Sequence, residues 1–485
     1  MMLRPGTTVA LLLAGWLVPA ILARAELVYF VKGGRAQLPA STEGTTVRLE
    51  TPDGVLDFLR SDFKTIVPGH WPEREWGDRR AKAEALGADA QYAAAWWALE
   101  NGLTPQAVSL LRAARAAHPN HEPTARMVAA LDRLDAPCSE PDLTPLEKAL
   151  NGRFERARSA HLVLLHQQGA ADAAERLELC ERVVTSYYLL LASQGIELPA
   201  PSRRMASAWY AEKTDYLVFL KSEGAEAFRT TRGYYHPTLN AVIAYDARSC
   251  EAQRPPREAL DNRLKELDRF ASTVDRMPPR ARLRFEMAGE SPRNLNATEA
   301  RGVLDRLQRN ARRQRLLLDL DRRAIDWGTA AHEMIHQLVS VSGLATRHDA
   351  FPIWLHEGFA AQFEVVRGGR WAGFGRAHDI RLPDWRALES PPRLTSLLRD
   401  SGFGRGYQRE LYAQAWALVY FLRKEHPREF LAFLDLLRTP EDGSQGRADR
   451  ALAAFRQAFG ADLEKLETDW LHFMAELRTP LESGG

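Results

Sequence analysis

Cysteine is scarce in this chain: Cys138, Cys180 and Cys250 are the three among 485 residues. That is too few for a disulfide framework, and none has the spacing of a thiolate metal site. A single bond suits an exported protein, with Cys180 and Cys250 the favoured pair because both fall in one segment; unpaired thiols fit equally well. An excess of one charge is also missing. The 65 Lys and Arg nearly balance 63 Asp and Glu, leaving +2, which gives no global pull toward nucleic acid. Beyond the first 25 residues there is no apolar run of membrane length.

What is present begins with a targeting pattern in residues 1–25. Arg4 supplies a positive start, residues 9–22 an apolar stretch broken by Gly15 and Pro19, and Ala23-Arg24-Ala25 a small-residue cleavage site. Export to the periplasm or the medium is expected. A retained membrane tether is the alternative if the segment stays uncleaved. Residues 26–76 then alternate in short strand-like runs around Gly33-Gly34 and Pro52-Asp53-Gly54, predicting a small β module.

Residues 77–136 are alanine-rich and helical. Ala95, Ala107, Leu111, Ala114 and Pro119 fall at the spacings of a tetratricopeptide-type hairpin, serving either as a peptide-docking platform or as a packing spacer. Trp96 and Trp97 are expected in the core, and the prolines of residues 137–150 mark a linker. Strands and helices alternate from 151 to 326. Residues 160–165, 207–219 and 240–245 have strand character, 171–194 reads as a long helix, and His161 as a core histidine. Asn296 to Glu299 resembles a capped helix start. Arg306, Arg309, Arg312, Arg313 and Arg315 follow, but Asp305, Asp319 and Asp321 dilute them and no aromatic residues interleave. A solvated helix face is the reading, rather than a nucleic-acid surface.

The chemistry gathers between Thr329 and Glu364. His332-Glu333-Met334-Ile335-His336 sets two histidines four apart, on one helix face, where both rings reach one ion. Thr329 is the expected N-cap of that helix. Imidazole nitrogen and carboxylate oxygen suit zinc, whose catalytic sites take three protein ligands and leave a position for water. Glu333, about 100° round the helix from His332, is suited to take that water's proton. Glu357, 21 positions after His336 on a second helix expected over 355–366, closes the triad. Ala360 and Ala361 would let this helix approach the first. His348, Asp349 and His356 are reserve ligands. The histidine-rich alternative, HExxHxxGxxH, fails because Val339 and Ser342 stand where its glycine and histidine belong.

AHEMIHQL followed by PIWLHEGFAAQFE resembles the Glu-type zinc metallopeptidases of the peptidase MA-like clan, which includes thermolysin and the zinc aminopeptidases. It looks closest to a secreted bacterial family, largely uncharacterised, with which AAWWALENGLT, GYYHPTLNAVIAYDAR and YAQAWALVYFL also share likeness. The resemblance implies His332, His336 and Glu357 as zinc ligands, Glu333 as general base, and a peptide or protein substrate. It implies that residues 233–236, leading into 240–245, form a substrate-binding sheet edge, though a buried strand after a turn fits those residues too. It further implies that Tyr412, on a later helix, hydrogen-bonds a developing oxyanion; a core tyrosine is the other reading. One departure stands out. The clan's thermolysin-like members carry an Asp four residues after the ligand Glu, and here that position is Ala361, which leaves Gln362 or Glu364 to orient a histidine.

Taken together, the expectation is a predominantly helical α+β chain. A zincin-like domain spans 151–326 (small sheet, long helices) and 327–480 (metal helices, all-α lobe), after the β module and TPR-like helices. The function expected is zinc-dependent peptide hydrolysis; a metal-stabilised protein that binds partners through the TPR-like helices is the alternative. Oligomeric state is not legible.

Overall fold

The computed structural model describes residues 24–286, 291–345, 351–403, 408–438, 446–479 and 482. Most of the targeting segment, and His348 and Asp349, therefore lie outside the described residues. Within them the architecture is mixed α+β and mainly helical.

The N-terminal module is a five-stranded antiparallel sheet, Arg24–Phe30, Arg35–Glu43, Thr46–Thr51, Gly54–Leu59 and Phe63–Pro68. Its alternation buries one face, Val28, Leu38, Val47, Leu49 and Phe58, against Leu316 of a distant helix. Helices Pro72–Leu86, Ala88–Glu100, Thr104–Ala117 and Glu122–Leu134 follow, each packed on the next. Ala95, Ala107, Leu111 and Ala114 are buried as the pattern requires. Trp96 and Trp97 are only partly buried, contrary to expectation, because they sit at a seam. Trp96 meets Phe374 edge-on at 5.5 Å, and Trp97 lies under the Arg79 guanidinium at 4.2 Å. At that seam an added Cβ on Gly102 would stand 2.3 Å from the carbonyl oxygen of Trp371, at a φ of +73. Only glycine allows the two backbones so close.

The residues expected as a linker are packed against the fold. Leu146 on helix Thr144–Ala149 is buried, and Ser139 bridges Arg203 beside the second sheet. That sheet runs in the spatial order Glu155–Arg158, Leu162–His166, Met205–Tyr210, Ala241–Tyr245, Gly233–His236. Its three central strands are parallel and buried on both faces, which explains their continuous apolar sequence. Leu162 and Leu164 face helix Ala170–Ser193, whereas Val163 and Leu165 face helix Lys213–Ser222. The strand expected over 207–219 thus ends at Tyr210 and gives way to that helix. The three cysteines are unpaired and buried, Cys180 and Cys250 in separate hydrophobic clusters, so the favoured disulfide is not formed.

One helix organises the molecule. Ala297–Val341 is continuous over 45 residues, roughly 65–70 Å. It starts with a capping box, in which the Asn296 side chain accepts from the Glu299 amide and Glu299 accepts from the Asn296 amide. No proline interrupts it, so Thr329 lies mid-helix and is not the cap. Its arginines are a solvated face only in part: Arg312 and Arg315 are exposed, whereas Arg309 pairs with Asp62 at 3.1 Å and Arg313 donates to the carbonyl of Gly33, gripping the N-terminal module. Its last turns, which carry the histidines, pack on the second sheet. Gln337 donates to the carbonyls of Asn240 at 2.7 Å and Ala206 at 3.2 Å.

The C-terminal part is a helical lobe built on Ile353–Ala360, Arg409–Glu425, Pro427–Arg438, Arg447–Phe459 and Leu463–Glu476, with Trp354, Trp416 and Trp470 fully buried. An added Cβ on Gly358 would stand 2.3 Å from the Ala415 carbonyl oxygen. The glycine beside Glu357 therefore lets this short helix touch the lobe's central helix.

Candidate metal centre

His332 and His336 project from one face of the long helix, and Glu357 from the short helix Ile353–Ala360. Their donor atoms converge. Nε2 of His336 lies 3.0 Å from Nε2 of His332, which lies 3.1 Å from Oε2 of Glu357; Oε1 of Glu357 is 3.8 Å from His336. All three ligand atoms fall within 4.8 Å of one another. Ligands placed tetrahedrally on bonds of 2.0–2.1 Å stand about 3.3 Å apart, so the observed spacing is that of a zinc-sized site.

The short helix ends sooner than its sequence suggests, and that matters. After Ala360 the chain tightens into a 3-10 turn, Ala361–Phe363, before Val366–Arg367 pairs with Arg370–Trp371 in a small hairpin. Glu364 is thereby swung out of line with Glu357 and reaches the far nitrogen of His332, Nδ1, at 2.6 Å. Of the two residues considered for this role, Glu364 takes it. Gln362 instead donates to the carbonyls of Gly358 and Trp416, tying the metal helix to the lobe.

Two further residues, unremarked in the sequence, hold Glu364. His378 accepts the amide hydrogens of Ile380 and Arg381 on Nδ1, at 3.2 and 3.3 Å. Its proton is therefore on Nε2, which donates to Oε2 of Glu364 at 2.8 Å. Arg381 donates to both oxygens of Glu364 at 3.3 Å. Burial opposes ionisation of Glu364, but Arg381 and the hydrogen bonds from His332 and His378 hold its carboxyl well below the usual range. A carboxylate so fixed takes the Nδ1 hydrogen of His332 and leaves a lone pair on Nε2, aimed at the point shared with His336 and Glu357.

That arrangement is the fit test for an ion. A proton on His332 Nε2 can bridge one neighbour; a cation satisfies all three donors at once. Burial pulls His332 toward neutrality, yet hydrogen bonds with Glu357 and Glu364 hold its pKa well above the ordinary value. Glu357 is held well below its ordinary value, burial being outweighed by the two histidines. A site that attracts positive charge this strongly is chemically suited to a divalent cation.

Glu333 is buried beside the triad, and burial pushes its pKa up, with the backbone of Tyr235 hydrogen-bonding it in partial compensation. Tyr235 belongs to Gly233–His236, the edge strand of the second sheet. Its hydroxyl also reaches Ser340 of the metal helix at 3.2 Å. Edge and helix are thus stitched together. The reserve ligand His356 lies near His336, ring centres 5.5 Å apart and planes inclined at 51°, and is not part of the converging group. Tyr412, in the helix Arg409–Glu425, lies with its ring 5.5 Å from the guanidinium of Arg381, one residue removed from Glu364. Asp400 was not foreseen either. Its carboxylate accepts the amides of Ile353 and Trp354 at 2.9 and 3.0 Å, capping the helix that carries Glu357.

A family model described as "Protein of unknown function (DUF1570)" matches residues 326–441, which takes in His332, Glu333, His336, Glu357, Glu364, His378 and Arg381 but not Tyr235. Over that span the chain is similar to this family. No curated protein and no solved structure matches the chain.

Proposed function

We propose that the chain is a zinc-dependent metallopeptidase. The observation that carries this reading is the convergence of His332 Nε2, His336 Nε2 and the Glu357 carboxylate within 4.8 Å, beside a buried Glu333. His332, His336 and Glu357 would hold the metal, which when bound supplies Lewis acidity that polarises a carbonyl and acidifies water. Glu333 accepts the proton of the attacking water and passes it to the leaving amine. Burial that favours its protonated form suits the second of these steps. Glu364, held by His378 and Arg381, keeps the His332 hydrogen on Nδ1 throughout.

The reading extends to the surroundings. The edge strand Gly233–His236, whose backbone at Tyr235 hydrogen-bonds Glu333, is suited to align an extended peptide by main-chain hydrogen bonds. Tyr412 is assigned to the oxyanion, reached from beside Arg381. The second sheet, long helix and helical lobe correspond to a zincin-like domain, with TPR-like helices before it, acting after export directed by residues 1–25. Glu333→Gln tests the chemistry. It should retain zinc while peptide hydrolysis falls by about 10²–10⁴-fold; undiminished turnover removes Glu333 from the mechanism.

A further inference from the structure

A second concentration of charge lies outside the metal centre. A small cavity of about 40 Å³ opens between the N-terminal module, the first helices and the hairpin after Glu364, and none of its lining residues is His332, His336 or Glu357. Arg367, Arg370 and Arg376 all line it, together with Gln37, His70 and Trp71. Two of the three guanidinium groups are committed. Arg367 is gripped by Asp379 at 2.7 and 3.2 Å, and Arg370 pairs with Glu73 while lying 4.7 Å over the ring of Trp71.

Arg376 is different. It makes no hydrogen bond or ion pair with any described residue. The nearest acids are engaged elsewhere: Asp379 with Arg367, and Glu100 with Lys424 at 2.9 Å. Burial, and then the charge of Arg367, both disfavour its cation. A partly buried guanidinium without an acceptor is costly, and its planar fork of donors matches two oxygens of one anion. Gln37, which also lines the cavity, has an unsatisfied atom beneath its surface. Oε1 of Gln37 is buried without a partner, while its Nε2 donates to the carbonyl of His70 at 2.8 Å.

We propose that this cavity is an anion site, taking a small oxyanion, carboxylate or phosphate, on the guanidinium of Arg376. Arg367 and Arg370 add flanking positive charge. The inference stands on residues other than the metal ligands and does not depend on the peptidase reading.

The test is calorimetric titration of the full chain with inorganic phosphate and, separately, glycolate, at ionic strength held constant with sodium chloride. One of the two should bind saturably at one per chain, which identifies phosphate or carboxylate as the group recognised. Arg376→Gln should weaken that binding at least tenfold. It should melt at the same or a higher temperature than wild type when only chloride is present, since it removes an unpaired cation. Arg376→Lys, which keeps the charge and loses the fork, should weaken binding and provides the comparison if the glutamine variant does not fold. Saturable binding of neither anion, undiminished binding in both variants, or a lowered melting temperature of Arg376→Gln in chloride alone overturns the proposal.

Discussion

The carboxylate of Glu364 accepts the Nδ1 hydrogen of His332 at 2.6 Å, and this contact leaves the other ring nitrogen facing His336 and Glu357. Residues seven apart, Glu357 and Glu364, approach the same imidazole from its two nitrogens because the helix between them tightens at Ala361–Phe363.

Glu364 is itself aligned by His378 and Arg381, so the effect of losing it should be graded. Glu364→Gln removes the charge but keeps a carbonyl oxygen, and should weaken zinc binding by about 10–100-fold. His378→Ala leaves the Arg381 contact and should cost less. Competition against a chromophoric chelator measures both, and affinity unchanged in either variant would show that the histidine needs no such support.

How much of this was legible in the sequence varies with the range of the interaction. The histidines, Glu333 and Glu357 lie on local helical patterns, where a spacing of four is a spatial fact. The buried parallel strands announced themselves as unbroken apolar runs, and Asn296 with Glu299 as a capping box. His378, Arg381 and Asp400 gave no signal, because each acts through a fold-dependent contact across loops. Thr329 misled for a related reason: it looks like a cap, but tertiary packing carries the helix straight through it. Arg309 and Arg313 misled because their partners, Asp62 and Gly33, lie 247 and 280 residues away.

Asp400 caps a helix from outside it, at a backbone φ of +54, where few side chains other than Asp and Asn settle. Asp400→Ala should cost about 1–2 kcal/mol in unfolding free energy, as loss of a capping carboxylate does. It should also lower zinc affinity, since the helix it caps carries Glu357. Urea unfolding and the chelator assay report the two effects separately. A stability loss with zinc affinity untouched would mean that Glu357 is held in place by its other packing.

His161, expected as a plain core residue, is an ion pair. Nδ1 stands 2.6 Å from Oε2 of Glu181 and Nε2 stands 2.9 Å from the carbonyl of Leu134, the last residue of its helix. Both nitrogens face acceptors, so the ring carries both protons, a cation at a helix C-terminus. Burial pulls its pKa down, but Glu181 raises it above 6.5 overall; Glu181, against its own burial, is lowered below 4.5. The histidine's contribution is full below pH 6.5 and is lost as pH rises through its elevated folded value. The glutamate's is full above pH 4.5 and is lost as pH falls through its depressed one. The stability difference between wild type and Glu181→Gln should therefore peak between these limits, at about 3 kcal/mol, and shrink toward pH 9 and pH 3. A difference independent of pH would refute the pairing.

The most direct test of the central claim is elemental analysis of the purified, dialysed chain beside His332→Ala. One zinc per chain in wild type, and none in the variant at matched fold by circular dichroism, is the expected result. Zinc far below stoichiometric in wild type after incubation with the metal, or equal in both proteins, would contradict the assignment of His332, His336 and Glu357 as a metal centre.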